Sequence, residues 1–127
     1  MEKNRKRNKI YELINGKGII KEYNNDGYLE FEGEYLKGER NGKGKEYNSD
    51  GYLAFEGEYS NGKRNGKGKE YYDDGKLLFE GSYLNGLRNG KGKIYHPITG
   101  KFESDVEYLN GKEIFKKNVQ ERTCLIQ

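Results

Sequence analysis

The sequence has no tryptophan, and among its 127 residues there is one proline, one cysteine and one histidine. Each scarcity removes a class of explanation. A single cysteine, Cys124, rules out an internal disulfide and a cysteine-based zinc site, and it accords with a reducing compartment. A single histidine, His96 beside Pro97, leaves no acid, base and nucleophile set to assemble. Catalytic residues, metal ligands, a cofactor and a small-molecule substrate are therefore all absent from the reading, and His96 is read as a turn residue. Long apolar runs are missing too, so neither a membrane-spanning helix nor the apolar segment of a secretory signal is expected. The expected compartment is cytoplasmic. With 31% apolar and 35% charged residues, a deep globular core is excluded as the organising principle.

What the chain has is tyrosine, phenylalanine and glycine, 12, 5 and 19 residues, at regular spacing. The period is 24: Tyr11, Tyr35, Tyr59 and Tyr83 obey it, as do Phe31, Phe55 and Phe79, Gly27, Gly51 and Gly75, and the series Tyr23, Tyr47, Tyr71 and Tyr95. A further unit carries one extra residue, placed at His96-Pro97. Within each unit two turn signals alternate with two short β-like runs. Asp26-Gly27, Asp50-Gly51 and Asp74-Gly75 suit two-residue type I′ turns. Asn61-Gly62 and Asn65-Gly66 suit a longer glycine-bearing loop at the opposite end. The chain thus reverses about every 12 residues, which gives an antiparallel meander.

Counting outward from a two-residue Asp50-Gly51 turn places Asn48 opposite Leu53, Glu46 opposite Phe55, Gly44 opposite Gly57 and Gly42 opposite Tyr59, all on one face. Tyr47 with Ala54, Lys45 with Glu56 and Lys43 with Glu58 occupy the other. By the same count Lys21 faces Glu32 and Gly68 faces Gly81. The facing glycines leave slots that aromatic rings from adjacent hairpins fill. A four-residue loop with a shifted register is the competing arrangement.

The stretch from Phe55 to Gly68, aromatic-x-Gly-x-aromatic followed by Asn-Gly and Gly-x-Gly, resembles the MORN (membrane occupation and recognition nexus) repeat. The resemblance spans roughly residues 11–112. It implies an all-β fold, an elongated single-sheet antiparallel meander of about four stacked hairpins, and a scaffold that binds rather than catalyses. Tyrosine stands where the family often has Trp, and Asn41, Asn65 and Asn89 stand where His commonly precedes Gly-x-Gly. Ile20 occupies a glycine place in the first unit, and Ser104 and Val106 replace the phenylalanine and glycine of the last. Degenerate ends suit a repeat array that must be capped.

Three regions follow: a basic arm over residues 1–10, the repeats over 11–112, and a cap or tail over 113–127. Phe115, Val119 and Ile126 fall near one side of a helix, so a short capping helix is expected there. The arm holds Lys3, Arg5, Lys6, Arg7 and Lys9 against Glu2, a balance of +4, while the whole chain carries +3. The body is therefore near neutral, which argues against a specific nucleic-acid surface. The candidate ligand-facing set is the aromatic and glycine ladder: Phe31, Gly33, Tyr35, Phe55, Gly57, Tyr59, Phe79, Gly81 and Tyr83, with Gly42, Gly44, Gly66 and Gly68. Structural stacking is its simpler role, a groove for an extended partner its functional one. Gly38 to Lys43 falls one residue short of a phosphate loop, and the Asp-Gly aspartates lack calcium spacing.

The expected partner is a protein or a second copy of the chain, at a membrane or cytoskeletal structure. The alternative is a phosphoinositide or anionic-lipid module using the arm, with Cys124-Leu125-Ile126-Gln127 as a farnesylation box in a eukaryotic protein ending there. A choline or cell-wall carbohydrate binder is a third class, disfavoured by the lack of Trp.

Overall fold

The computed structural model describes residues 9–14 and 17–119, with side chains from residue 18. It is one antiparallel sheet of ten strands, each hydrogen-bonded to the next in chain order. The strands are β1 (Lys9–Ile14), β2 (Lys17–Tyr23), β3 (Leu29–Leu36), β4 (Glu39–Tyr47), β5 (Leu53–Ser60), β6 (Lys63–Tyr71), β7 (Leu77–Leu84), β8 (Leu87–Tyr95), β9 (Phe102–Leu109) and β10 (Lys112–Asn118). The meander and its 24-residue period stand as expected, with two strands more than four hairpins provide.

The expected register holds over most of β4 and β5, where Glu46 faces Phe55, Gly44 faces Gly57 and Gly42 faces Tyr59. The turn that sets it is different. Asn48 donates its N–H to the Tyr52 carbonyl and accepts the Gly51 N–H, closing a three-residue loop. Its side-chain Oδ1 also accepts the Asp50 and Tyr52 amides, both at 3.0 Å. Only Gly51 is left-handed in this loop, at φ 89°, so the type I′ assignment at Asp-Gly is corrected. The longer loop shifts the pairing by one, bringing Tyr47 opposite Leu53 instead of Ala54. A bulge at Ala54 then shifts it back. Asn48 opposite Leu53 and Tyr47 opposite Ala54 are therefore wrong, whereas every pair from Glu46 inward is right.

The type I′ turns lie at the other end. Asn61-Gly62 has φ 52° and 81°, Asn85-Gly86 51° and 89°, and Asn110-Gly111 49° and 86°, joining Ser60 to Lys63, Leu84 to Leu87 and Leu109 to Lys112. Asparagine tolerates the left-handed region better than other non-glycine residues, which explains why Asn-Gly sits here. Asn85→Ala is expected to cost about 1 kcal/mol, and Asp50→Ala no more than about 0.5 kcal/mol; urea unfolding of the two variants reads the difference. The extra residue of the last unit is absorbed by the loop at His96, whose Nδ1 accepts the Ile98 and Thr99 amides at 3.1 and 3.2 Å.

The capping helix is corrected over its first part. Residues 112–118 form β10, with Phe115 opposite Glu107, Lys117 opposite Asp105 and Asn118 opposite Ser104. A short isolated helix is marginal in water, and pairing with β9 satisfies both backbones. Val119, next after β10, is in helical conformation. The rest of the expected helix, including Ile126, lies outside the described residues, as do Cys124 and the arm residues Lys3, Arg5, Lys6 and Arg7; Lys9 begins β1.

Candidate functional site

The two faces of the sheet do different work. On one, Phe31, Phe55 and Phe79 are fully buried and Tyr59 and Tyr83 nearly so. Their rings form an edge-to-face zigzag: Phe31 to Tyr59 at 5.3 Å, Phe55 to Tyr59 at 5.7 Å, Phe55 to Tyr83 at 5.2 Å and Phe79 to Tyr83 at 6.0 Å. Tyr35 and Tyr108 extend it at either end. A single sheet has no second layer to cover such rings, and here arginines do it. The guanidinium carbons of Arg40, Arg64 and Arg88 stand 4.0, 3.9 and 4.1 Å from the centroids of Phe31, Phe55 and Phe79.

Each arginine is held by a glutamate. Arg64 donates from Nε and Nη2 to Glu46, both at 3.0 Å, and the Tyr59 hydroxyl donates to the same carboxylate. Arg40 with Glu22 and Tyr35, and Arg88 with Glu70 and Tyr83, repeat the cluster. Burial alone would raise the Glu46 and Glu70 carboxyls, but the bonds from arginine and tyrosine outweigh it and hold both below the usual range. Burial, followed by the bond to glutamate, pushes the Tyr35 hydroxyl up to about 12 and raises Tyr59 and Tyr83 further.

These shifts fix the pH dependence. A carboxylate with a depressed folded pKa contributes stability that is full above its unfolded value, about 4.5, and lost as pH falls through the lower folded value. A tyrosine with a raised pKa contributes stability that is full below about pH 10 and lost as pH rises through the folded value. Urea midpoints are expected to fall below about pH 4.5 and above about pH 10, and Glu46→Gln with Glu70→Gln to flatten the acid limb.

At the C-terminal end the ladder closes by substitution. Ser104 stands in the phenylalanine place, fully buried and donating to Asn118 Oδ1 at 2.6 Å. With no ring over it, the next slot is filled by Val106 itself, 2% exposed, opposite Gly92.

The glycines form a continuous row across the sheet, Gly33, Gly44, Gly57, Gly68, Gly81 and Gly92, each directly opposite the next. On the core face they make room for rings. On the other face they line a groove of about 940 Å³ running from β2 to β9. The predicted set is thus divided: its aromatics pack the core face, while Gly33, Gly44, Gly57, Gly68 and Gly81 line the groove opposite. Gly42 and Gly66 lie in bulges of β4 and β6, where the Glu34 and Glu58 carboxylates accept the following Lys43 and Lys67 amides.

The groove walls are charged and ordered by strand. Glu32, Lys45, Glu56, Lys69, Glu80, Lys93 and Asp105 follow one another across successive strands in strict sign alternation. A parallel row includes Lys43 opposite Glu58 and Lys91 opposite Glu107. Lys45 and Lys69 line the groove and are exposed, and neither is in an ion pair among the described residues. Beside this row, Tyr47, Tyr71 and Tyr95 donate to Glu32, Glu56 and Glu80. Among the described residues no group of three or more His, Cys, Asp or Glu converges to hold a metal ion.

Two functional elements escaped the sequence reading. Arg40, Arg64 and Arg88, and their partners Glu22, Glu46 and Glu70, share the 24-residue spacing of the aromatics, so the signal was present. The groove itself depends on both faces at once, and no spacing displays it. A search of the curated proteins found no match. The family model for the MORN repeat matches three consecutive stretches, residues 31–51, 55–76 and 79–98, each starting at one of the buried phenylalanines. With the stacked hairpins and the aromatic and glycine ladder in place, the chain belongs to the MORN-repeat family.

Proposed function

We propose that this chain is a non-catalytic scaffold whose groove holds a segment of a protein partner. MORN repeats are generally protein- or membrane-associated scaffold repeats, and the finer reading rests on one observation. A single groove of about 940 Å³ crosses successive strands of one sheet, opposite the core, between walls of both charge signs. A surface that runs across several repeats suits an extended partner better than a compact ligand. Its mixed charge also distinguishes it from a phosphate-binding surface, which carries one sign.

The test is affinity capture with the intact chain beside a variant carrying Lys45→Gln and Lys69→Gln, read by mass spectrometry. A protein retained by the parent and lost from the variant supports the reading. Equal retention by both removes the groove from it. Self-association through this face would appear as a mass change in light scattering that the same substitutions abolish.

A second reading places the protein in the cytoplasm at an anionic membrane or a cytoskeletal structure. It is carried by the +4 balance of Lys3, Arg5, Lys6, Arg7 and Lys9 against Glu2, which would contribute about 1 kcal/mol per basic residue near an anionic leaflet. Farnesylation of Cys124 would add to it. Sedimentation with phosphoinositide vesicles, lost on neutralising the five arm residues, tests it separately.

A further inference from the structure

Resting on the groove reading above, we infer that the occupant is a charged, proline-rich segment in the polyproline II conformation, with a sequence that repeats every third residue. The first argument is spacing. One repeat contributes two strands, and at about 4.8 Å per strand the groove repeats every ~9.6 Å. A polyproline II helix has three residues per turn at 3.1 Å each, a repeat of ~9.3 Å. The mismatch reaches only about 1 Å over three repeats. In a β-strand, side chains on one face recur at about 6.7 Å, out of step within one repeat. Seven residues of α-helix span ~10.5 Å, so a helix drifts by almost 3 Å over three repeats.

The second argument is charge. Because Lys45, Glu56, Lys69 and Glu80 sit on consecutive strands, a ligand lying across the strands meets one cation and one anion per repeat. A triplet holding one acidic and one basic residue answers both in every turn. A uniformly charged ligand would gain at one strand what it loses at the next.

The third argument is the backbone. Every strand from β2 to β9 is hydrogen-bonded on both sides, so the floor has no row of free amides for a strand-like ligand to pair with. A polyproline II segment needs none, since its backbone stays solvated and its conformation is largely preformed. Its outward carbonyls are acceptors for the lysine ammonium groups. The floor between the two wall rows is bare backbone, because the side-chain positions of the glycine row point to the core face, which lets pyrrolidine rings approach the sheet between the aliphatic stems of the walls. From β2 to β9 the groove spans about 34 Å, enough for roughly 11 residues of such a segment.

Fluorescence anisotropy with the intact chain tests this against labelled 12-residue peptides. The probes are (Pro-Lys-Glu)4, (Lys-Glu)6, an alanine-based helical peptide with four Lys and four Glu, and (Pro-Gln-Gln)4. The expected result is that (Pro-Lys-Glu)4 binds about tenfold more tightly than each of the others, and that Lys45→Gln with Lys69→Gln removes about that factor. Circular dichroism and thermal melting confirm that the variant is folded. Equal or tighter binding by the alternating or helical peptide overturns the triplet assignment, as does no binding by (Pro-Lys-Glu)4. If affinity capture still depends on Lys45 and Lys69 while the triplet peptide does not bind, the groove reading stands and this inference falls. If neither depends on those lysines, both fall.

Discussion

Gly68→Val is expected to destabilise the protein by about 3 kcal/mol or more, at the upper end of overpacking effects, even though valine favours strands more than glycine does. A Cβ at Gly68 would lie 2.6 and 2.7 Å from Cζ and Cε1 of Phe55 and 2.9 Å from Cε1 of Tyr83. Those rings have nowhere to go. Phe55 is fully buried, Tyr83 is 4% exposed, and Arg64 closes the face of the Phe55 ring. Relief therefore needs either an off-rotamer ring or a local parting of β5 from β6, and for a marginally stable domain that is a large fraction of the whole. The control is the next residue, Lys69→Val, on the opposite and exposed face, with an expected effect within about 0.5 kcal/mol. Urea midpoints for the two variants decide. An unperturbed midpoint for Gly68→Val would mean the rings do not sit over the glycine row.

Phe55→Ala is expected to cost about 3–4 kcal/mol by the same measurement, within the range for buried aromatic truncation. The loss has three sources: the buried ring, its edge-to-face contacts with Tyr59 and Tyr83, and the face on which Arg64 rests. The last is separable. A double-mutant cycle between Phe55→Ala and Arg64→Met should return a coupling of about 1 kcal/mol, since a half-buried cation over a phenyl ring contributes roughly that. Additive effects would show that Arg64 serves only Glu46 and that the ring is covered by aliphatic packing alone.

The sequence made the period and the assignment of faces legible, because Phe31, Phe55 and Phe79 and the glycines between strands recur every 24 residues and strand side chains alternate strictly. The register was legible for a less direct reason. The Asp-Gly turn was read one residue too short and the Ala54 bulge was not foreseen, and these two errors cancel from Glu46 inward. Turn chemistry favours Asp-Gly and Asn-Gly alike, so dipeptides could not reveal which end carries the type I′ turn. The same three-residue loop closes at Tyr72, where Tyr72 N–H donates to the Lys76 carbonyl and Gly75 N–H to the Tyr72 carbonyl, so the Asx turn at Asn48 stabilises the longer loop without deciding it. Arg64 was passed over because an arginine among Lys, Asn and Gly residues reads as solvated, whereas its position over Phe55 follows only from the pairing of Arg64 with Tyr59. Phe115 and Val119 have a spacing that suits a helix. Pairing with the edge of β9 overrides it from Lys112 to Asn118, and only at Val119, past the end of β10, is the backbone helical; that is a non-local influence that no window of sequence contains.

The cancellation of the loop and the bulge bears on how such a chain can grow. Each 24-residue unit contains its own offset and its own correction, so an array lengthened or shortened by a whole unit keeps every phenylalanine on the core face and every wall lysine over the groove. A one-residue insertion within a strand has no such correction and would exchange the two faces from that point on. The extra residue at His96 shows where the exception lies, in a loop whose Nδ1-capped turn absorbs it before β9 begins. Repeat number can therefore drift by duplication and deletion with little structural penalty, while the length of each unit is constrained. Groove length, and with it the length of chain the protein can hold, is set by how many times the unit has been copied.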